Sequence, residues 1–198
     1  MRSTLVVAVM LSILAGCGTP LQERFYTLAS EPAPQTGSPA TAGGFTIVVG
    51  PVTVPEMVDR PQMVLRSGEN QVELVEEARW AAPLKSEIPR VIADHLARLL
   101  DGARTATSMQ RASSPPDYRV LIDIQRFESV PQQGATIQAL WTITPAVTKQ
   151  ATPLNGRTLV TEPAGAGFDE LVAAHSRALA AVSRDIAAAL GAARAAPK

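Results

Sequence analysis

The feature that most constrains the fold is a long segment in which apolar and polar side chains alternate. Within residues 117–130, apolar side chains take every second position, at Tyr118, Val120, Ile122 and Ile124. A period of two residues is typical of a strand with one buried face. The phase changes before Phe127, which predicts a β-bulge near residues 125–126. This segment predicts a domain built around a β-sheet.

A second alternating segment follows after a short turn. Its apolar positions are Ala135, Ile137, Ala139, Trp141 and Ile143. Because only residues 130–134 connect the two segments, they should pair as antiparallel neighbours with one common buried face. Further short strands are predicted at residues 25–28, 45–49, 62–66, 71–75 and 157–162. The pair Asn155-Gly156 before the last of these predicts a turn.

Two segments have the three-and-four spacing of apolar residues that is typical of amphipathic helices. The first covers residues 84–100, where Pro83 suits the first turn and Pro89 should kink the helix or mark its true start. The second covers residues 168–190, and Gly191 is placed to cap its end. Half-buried strands together with two such helices predict an α+β fold, a mostly antiparallel sheet with both helices packed on one face.

The N-terminus has the layout of a secretory signal. Arg2 precedes a mostly apolar run from Leu5 to Leu14, and the sequence then reads Ala15-Gly16-Cys17. As a helix this run reaches about 15 Å, half of a hydrocarbon core of about 30 Å, so it is too short to span a membrane. The residues Leu14-Ala15-Gly16-Cys17 resemble a bacterial lipobox, which implies signal cleavage and lipidation of Cys17. The alternative is an ordinary signal peptide with an accidental cysteine.

The predicted organisation follows from these signals. Residues 1–16 form the signal peptide, residues 17–24 the lipidated N-terminus with a short tether, residues 25–190 a single domain, and residues 191–198 a disordered tail. The tether spans at most about 23 Å, so the domain should sit against its membrane. Lipoproteins of this kind carry acyl chains such as palmitate. Gly18, rather than aspartate, follows the cysteine, which favours the periplasmic face of the outer membrane over the inner membrane.

The composition argues against several classes of function. The chain has 18 basic and 18 acidic residues and few aromatic ones, so nothing indicates nucleic acid as a partner. Cys17 is the only cysteine, and its lipidation would remove thiol catalysis and thiolate metal binding. His95 and His175 have no metal-ligand spacing, and His175 is in phase with apolar positions of its helix. We therefore expect a packed histidine at residue 175, no metal, no cofactor and no enzyme activity.

Three stretches of the chain resemble one family of bacterial lipoproteins. They read Pro51-Val52-Thr53-Val54-Pro55, Asp59-Arg60-Pro61-Gln62-Met63-Val64 and Ala78-Arg79-Trp80-Ala81-Ala82-Pro83-Leu84. The family comprises the auxiliary lipoproteins of ABC-type transport systems, including the paraquat-inducible protein C lipoproteins. The likeness covers nearly the whole mature chain and is most specific between Pro51 and Leu84.

The resemblance implies a non-catalytic docking or conduit subunit. Its implied partners are an MCE-domain (mammalian-cell-entry) protein and the inner-membrane ABC transporter or permease subunits that move phospholipid or other hydrophobic cargo between the two membranes. A homo-oligomeric ring would suit a conduit. The alternative is a structural envelope lipoprotein that binds another envelope protein or the cell wall, independent of any transporter.

Three residues within the resembling stretches are candidates for binding a partner. Asp59 and Arg60 form either a solvated pair that braces their loop or a charged site that orients a protein partner. Trp80 either packs against Leu84 as a staple or anchors an interface, where tryptophan is enriched. Three neighbouring apolar residues either add an adaptable contact or belong to the core: Met57, Val58 and Met63.

Overall fold

A computed structural model describes residues 22–30, 44–110, 115–146 and 152–195. Cys17 and the predicted signal peptide lie outside the described residues. In chain order the elements are β1 (Arg24–Tyr26), β2 (Phe45–Thr53), a single 3-10 turn (Glu56–Val58), β3 (Gln62–Arg66), β4 (Val72–Trp80), α1 (Leu84–Leu99), β5 (Ala103–Thr107), β6 (Tyr118–Val130), β7 (Gly134–Pro145), β8 (Leu154–Glu162) and α2 (Phe168–Ala195).

The strands of the described chain form one sheet arranged around β6. β7 pairs antiparallel with β6 along its whole length, and β8 pairs antiparallel with β7. The opposite edge of β6 is therefore shared by two strands. β2 runs parallel to its first half, and β3 meets it near its end, where Leu65 lies opposite Ser129. β5 continues the sheet beyond β2, and β4 followed by β1 continues it beyond β3.

The α+β class is confirmed, and the sheet is mixed rather than purely antiparallel. β1 with β4, β2 with β5, β2 with β6 and β3 with β6 are all parallel pairs. The alternation of side chains reports which face of a strand is buried and says nothing about the direction of its neighbour. The antiparallel prediction holds for the hairpins of adjacent strands, β3 with β4 and β6 with β7.

Two of the predicted irregularities differ in outcome. The bulge is confirmed, because the register of β6 against β7 shifts between Ile124 and Arg126. The turn at Asn155-Gly156 is wrong, because both residues lie inside β8. Gly156 pairs with Trp141, and its missing side chain leaves room for the indole ring, which a Cβ at that position would overlap. The glycine at this position allows a close approach of the indole and does not form a turn.

Both helices cover the same face of the sheet. α1 packs on β2 and β5, α2 packs on β7 and β8, and the two helices contact each other. α1 begins at Leu84, so Pro89 lies within the helix and does not start it. The predicted end at Gly191 is wrong, since α2 continues to Ala195 through flanking alanines that favour helix. Neither helix combines the length and the apolar character that a membrane span requires among the described residues.

Candidate partner-binding site

The loop after the 3-10 turn is tied to the far end of β4 by backbone hydrogen bonds. The Trp80 N–H donates to the Pro61 carbonyl oxygen at 2.7 Å, and the Ala81 N–H donates to the Tyr26 carbonyl oxygen at 2.8 Å. These bonds bring together the loop, the end of β1 and the start of α1, although the loop and β4 are separated by a hairpin in the chain. These bonds hold the second and third of the stretches that resemble the family in a fixed arrangement, which we call the pocket frame.

A pocket of about 290 Å³ lies inside this frame. It is lined by Asp59, Arg60, Pro61, Trp80, Ala81, Ala82 and Pro83. All three residues predicted to bind a partner therefore border one concavity. Its walls are largely apolar, with prolines and alanines on either side, and its charged groups lie on the loop.

The two charged residues of the loop do not pair with each other. The Asp59 carboxylate binds the Lys85 ammonium group at 2.6 Å, across to the first turn of α1. Both side chains are partly exposed, so this pair contributes at most about 1 kcal/mol to folding and serves mainly to hold the loop against the helix. Arg60 is exposed and makes no hydrogen bond or ion pair with the part of the chain that the structure describes. The rim of the pocket therefore carries one uncompensated positive charge.

Trp80 is mainly a core residue. Its side chain is only 6% exposed, and its ring packs edge-on against Phe127 at 5.9 Å and His175 at 6.2 Å between centroids. Because most of the indole is already buried, it forms a wall of the pocket and does not project outward as an interface anchor. Of the neighbouring apolar residues, Val58 and Met63 are buried in the core, while Met57 is exposed.

The histidine on α2 is packed, as its helical phase predicts. Its ring stacks on Phe127 with 3.9 Å between centroids, and Nε2 lies 2.8 Å from the Ser129 hydroxyl oxygen. Complete burial lowers the pKa of His175 to about 3, because the charged imidazolium would lose its hydration. The ring is therefore neutral at physiological pH. An enclosed neutral imidazole serves as a packing group for α2 against β6 rather than as a solvent-facing acid or base.

The second histidine also connects two elements. His95 Nδ1 lies 3.2 Å from the Ser183 hydroxyl oxygen, which links α1 to α2 within the core. The described residues contain no group of three or more histidine, aspartate, glutamate or cysteine side chains placed to hold a metal ion.

Sequence reasoning missed Lys85 and the pocket itself. Lys85 stands in the first turn of α1, 26 residues after Asp59, and nothing in the local pattern of either segment indicates their contact. The only signal in the sequence was that Asp59 lies in one of the stretches that resemble the family and that Lys85 directly follows another, which ends at Leu84.

Comparisons with known proteins agree with the resemblance. The family model described as ABC-type transport auxiliary lipoprotein component matches residues 26–187. None of the curated proteins matches the chain.

Two solved structures share the fold. One is an uncharacterized protein with a TM-score of 0.70 and 18% identity, covering 85% of this chain and 99% of its own. The other is protein XCC0632 from Xanthomonas campestris, with a TM-score of 0.62 and 18% identity, covering 82% of this chain and 92% of its own. At this identity the similarity concerns the fold alone. The family match spans most of the chain, including every residue that lines the pocket, and the chain therefore belongs to the ABC-type transport auxiliary lipoprotein family.

Proposed function

We propose that this protein is a lipid-anchored accessory subunit of an ABC/MCE-type transport system that moves phospholipid or other hydrophobic cargo between the inner and outer membranes. Acyl chains on Cys17 hold it at the periplasmic face of the outer membrane after the signal peptide is removed. The protein itself is non-catalytic. It docks a subunit of the transport apparatus, an MCE-domain protein or a transporter or permease subunit, through the pocket beside Arg60.

The observation that carries this proposal is the convergence of two of the three resembling stretches on one concave surface. Asp59, Arg60 and Trp80 come from two separate stretches and border the same pocket. Asp59 is neutralised by Lys85, whereas Arg60 keeps its charge free for a partner. An exposed arginine beside apolar walls is the composition that protein interfaces favour.

The size of the pocket favours a protein partner over cargo. At about 290 Å³ it lies at the lower end of the range of about 300–1,000 Å³ that is typical of small-ligand pockets. One or two side chains of a partner fill such a volume, whereas a phospholipid with two acyl chains needs a much longer cavity. The pocket therefore supports docking rather than carriage of lipid.

In-cell photo-cross-linking tests the proposal. A photoreactive amino acid replaces Ala81, which is exposed and lines the pocket, so that Arg60 keeps its charge in the full chain. The control replaces Arg104, which is exposed on β5 at another edge of the sheet. We expect the probe at residue 81 to capture an MCE-domain protein or a transporter subunit and the probe at residue 104 to capture neither. Cys17→Ala in the same background should abolish the cross-link, because the domain would lose its membrane position.

Other products would redirect the assignment. Capture of only outer-membrane structural proteins or cell-wall fragments would contradict a transport role and support the structural envelope lipoprotein instead. Equal capture by both probes would show that the pocket is not the docking surface. Cross-links between two copies of the chain would identify the homo-oligomer that a conduit requires.

A further inference from the structure

The solvent-facing side of β1, β3 and β4 carries three exposed apolar side chains. In this part of the sheet Val64 lies opposite Leu74 and Arg66 lies opposite Val72. Successive residues of a strand point to opposite faces, and on β4 Val75 is buried in the core whereas Leu74 and Val72 are exposed. Val64 on β3 is itself buried. Leu74 and Val72 therefore face solvent on the side away from the helices.

Phe25 on β1 belongs to the same face. It pairs with Arg79, and Arg79 pairs with Gln62 at the start of β3, in phase with Val64. The exposed fractions are 62% for Phe25, 42% for Leu74 and 38% for Val72. We call these three residues the β1–β4 patch. Single exposed apolar residues are common on proteins, so the position of the patch carries the argument rather than its composition.

In the chain, the predicted tether comes immediately before Phe25 of this patch. Cys17 lies seven residues before Arg24, the first residue of β1. A fully extended chain of that length reaches at most about 23 Å. A lipid on Cys17 therefore keeps β1 close to the bilayer, and the helix-covered face of the sheet is not available there because it forms the core. In the chain, β1 with its exposed Phe25 is the described strand closest to the anchor.

The charged side chains of this face are largely compensated. Arg66 binds Glu128 at 3.0 Å, and Arg79 binds both Glu23 and Glu76 at 3.2 Å. A patch without excess charge suits the headgroup region of a neutral bilayer, where aromatic and aliphatic side chains are accommodated at shallow depth.

We infer that the β1–β4 patch rests on the lipid headgroup surface, so that the anchor at Cys17 determines the orientation of the domain as well as its location. This inference depends on the lipid attachment in the proposed function. The partner of the patch is a bilayer surface. The contact turns β8, at the far end of the sheet, away from the membrane.

Fluorescence quenching in vesicles tests this orientation. The full lipidated chain is reconstituted in phosphatidylcholine vesicles after Leu74→Cys and labelling with an environment-sensitive fluorophore, and quenching by lipids with a nitroxide near the headgroup is measured. Acylated Cys17 has no free thiol, so the introduced cysteine is the only one that labels. The matched control is Leu159→Cys, on the same outer side of the sheet but in β8 and similarly exposed.

We expect at least twofold stronger quenching at residue 74 than at residue 159. A second pair, Val72→Cys and Leu121→Cys, has nearly equal exposure, 38% and 37%, and should show the same order. Equal quenching within each pair, or stronger quenching at residues 159 and 121, would overturn the inference while flotation of the protein with the vesicles still supports the anchor. Failure of the unlabelled protein to float with the vesicles would refute the anchor and this inference together.

Discussion

The two ends of the sheet are built on different principles. The meander of β6, β7 and β8 joins strands that are adjacent in the chain, and its pairing is interrupted only by the bulge near residue 125. The other end, formed by β3, β4 and β1, joins β1 to β4 across about fifty residues and meets β6 at the single pair Leu65–Ser129. The register of β3 against β4 also shifts beside Gln62.

This difference distinguishes the meander, which serves as a scaffold, from the end formed by β3, β4 and β1, which carries the candidate site. In the meander the paired strands satisfy one another's backbone hydrogen bonds. The sheet is therefore regular there, and only side chains shape its outer surface. At the β1–β4 end the backbone leaves the ladder at the 3-10 turn and at the loop of Arg60. The backbone bond from Trp80 to Pro61 and the packing of side chains hold this loop in place. The stacked rings of Phe127 and His175, with Trp80 edge-on to both, support this end and the pocket wall. The candidate site lies where the sheet is irregular.

Removing a ring of this aromatic cluster should give the largest effect on stability and should distinguish the roles of the two ends of the sheet. Trp80→Ala deletes a buried indole and is expected to lower the free energy of unfolding by about 3–5 kcal/mol and to abolish the cross-link at residue 81. Trp141→Ala, in the meander, should cost comparable stability but keep the cross-link, because Trp141 pairs with Ile122 and Gly156 and does not line the pocket. Chemical denaturation gives the stability and the photo-cross-linking assay gives the docking. Loss of the cross-link in both variants would show that the two ends are not separable.

A smaller change should disturb the meander alone. Gly156→Ala places a Cβ against the Trp141 ring and is expected to cost about 1–3 kcal/mol through overpacking. The control is Gly191→Ala in α2, where the added Cβ meets no atom within 4 Å and the better helix former should stabilise by up to about 1 kcal/mol. Urea denaturation of both variants measures whether each substitution lowers or raises the free energy of unfolding. A neutral Gly156→Ala would mean that the indole moves aside freely.

The buried histidine predicts a pH dependence at the β1–β4 end. Because the pKa of His175 falls from 6.5 to about 3 on folding, only the unfolded chain takes up this proton as the pH drops below 6.5. The effect of His175 therefore leaves the free energy of unfolding at its highest above pH 6.5 and lowers it progressively toward pH 3, by up to about 1.4 kcal/mol per pH unit.

The measurement is the free energy of unfolding between pH 7 and pH 5 for the protein and for His175→Phe. The slope should be shallower in the variant. Arg126 and Arg66 hold the pKa of Glu128 below its ordinary value, so that carboxylate affects stability only in a more acidic window. Identical slopes for the two proteins would contradict the assignment of the pH dependence to His175.

The smallest effect on stability should come from the charged rim of the pocket. Asp59→Asn breaks an exposed ion pair and is expected to lower the free energy of unfolding by less than about 1 kcal/mol. Arg60→Gln, which removes an unpaired side chain, should change it by no more than about 0.5 kcal/mol. Yet Arg60→Gln should reduce recovery of the partner in a pull-down with the full lipidated chain. Unchanged recovery would remove Arg60 from the docking site.

The elements with a strong local period could be predicted from the sequence. The alternation in β6 and β7, the bulge near residue 125 and the apolar stripes of α1 and α2 are properties of neighbouring residues, so they can be recognised without knowing the fold. β5 was not predicted, because its five residues are only half-buried and show no alternation. The candidate residues Asp59, Arg60 and Trp80 came from the resemblance, and the structure brings them to one pocket.

The sequence by itself determined the type of most elements, the buried face of each long strand and the family segment that contains the site. Only the tertiary structure decided the parallel pairings, the place of Gly156 inside β8, the pairing of Asp59 with Lys85 and the free charge of Arg60. The physical reason is the separation along the chain of the residues that determine each property. Periodicity records whether a residue faces the core, whereas strand direction, ion-pair partners and pockets depend on segments that meet only when the chain has folded.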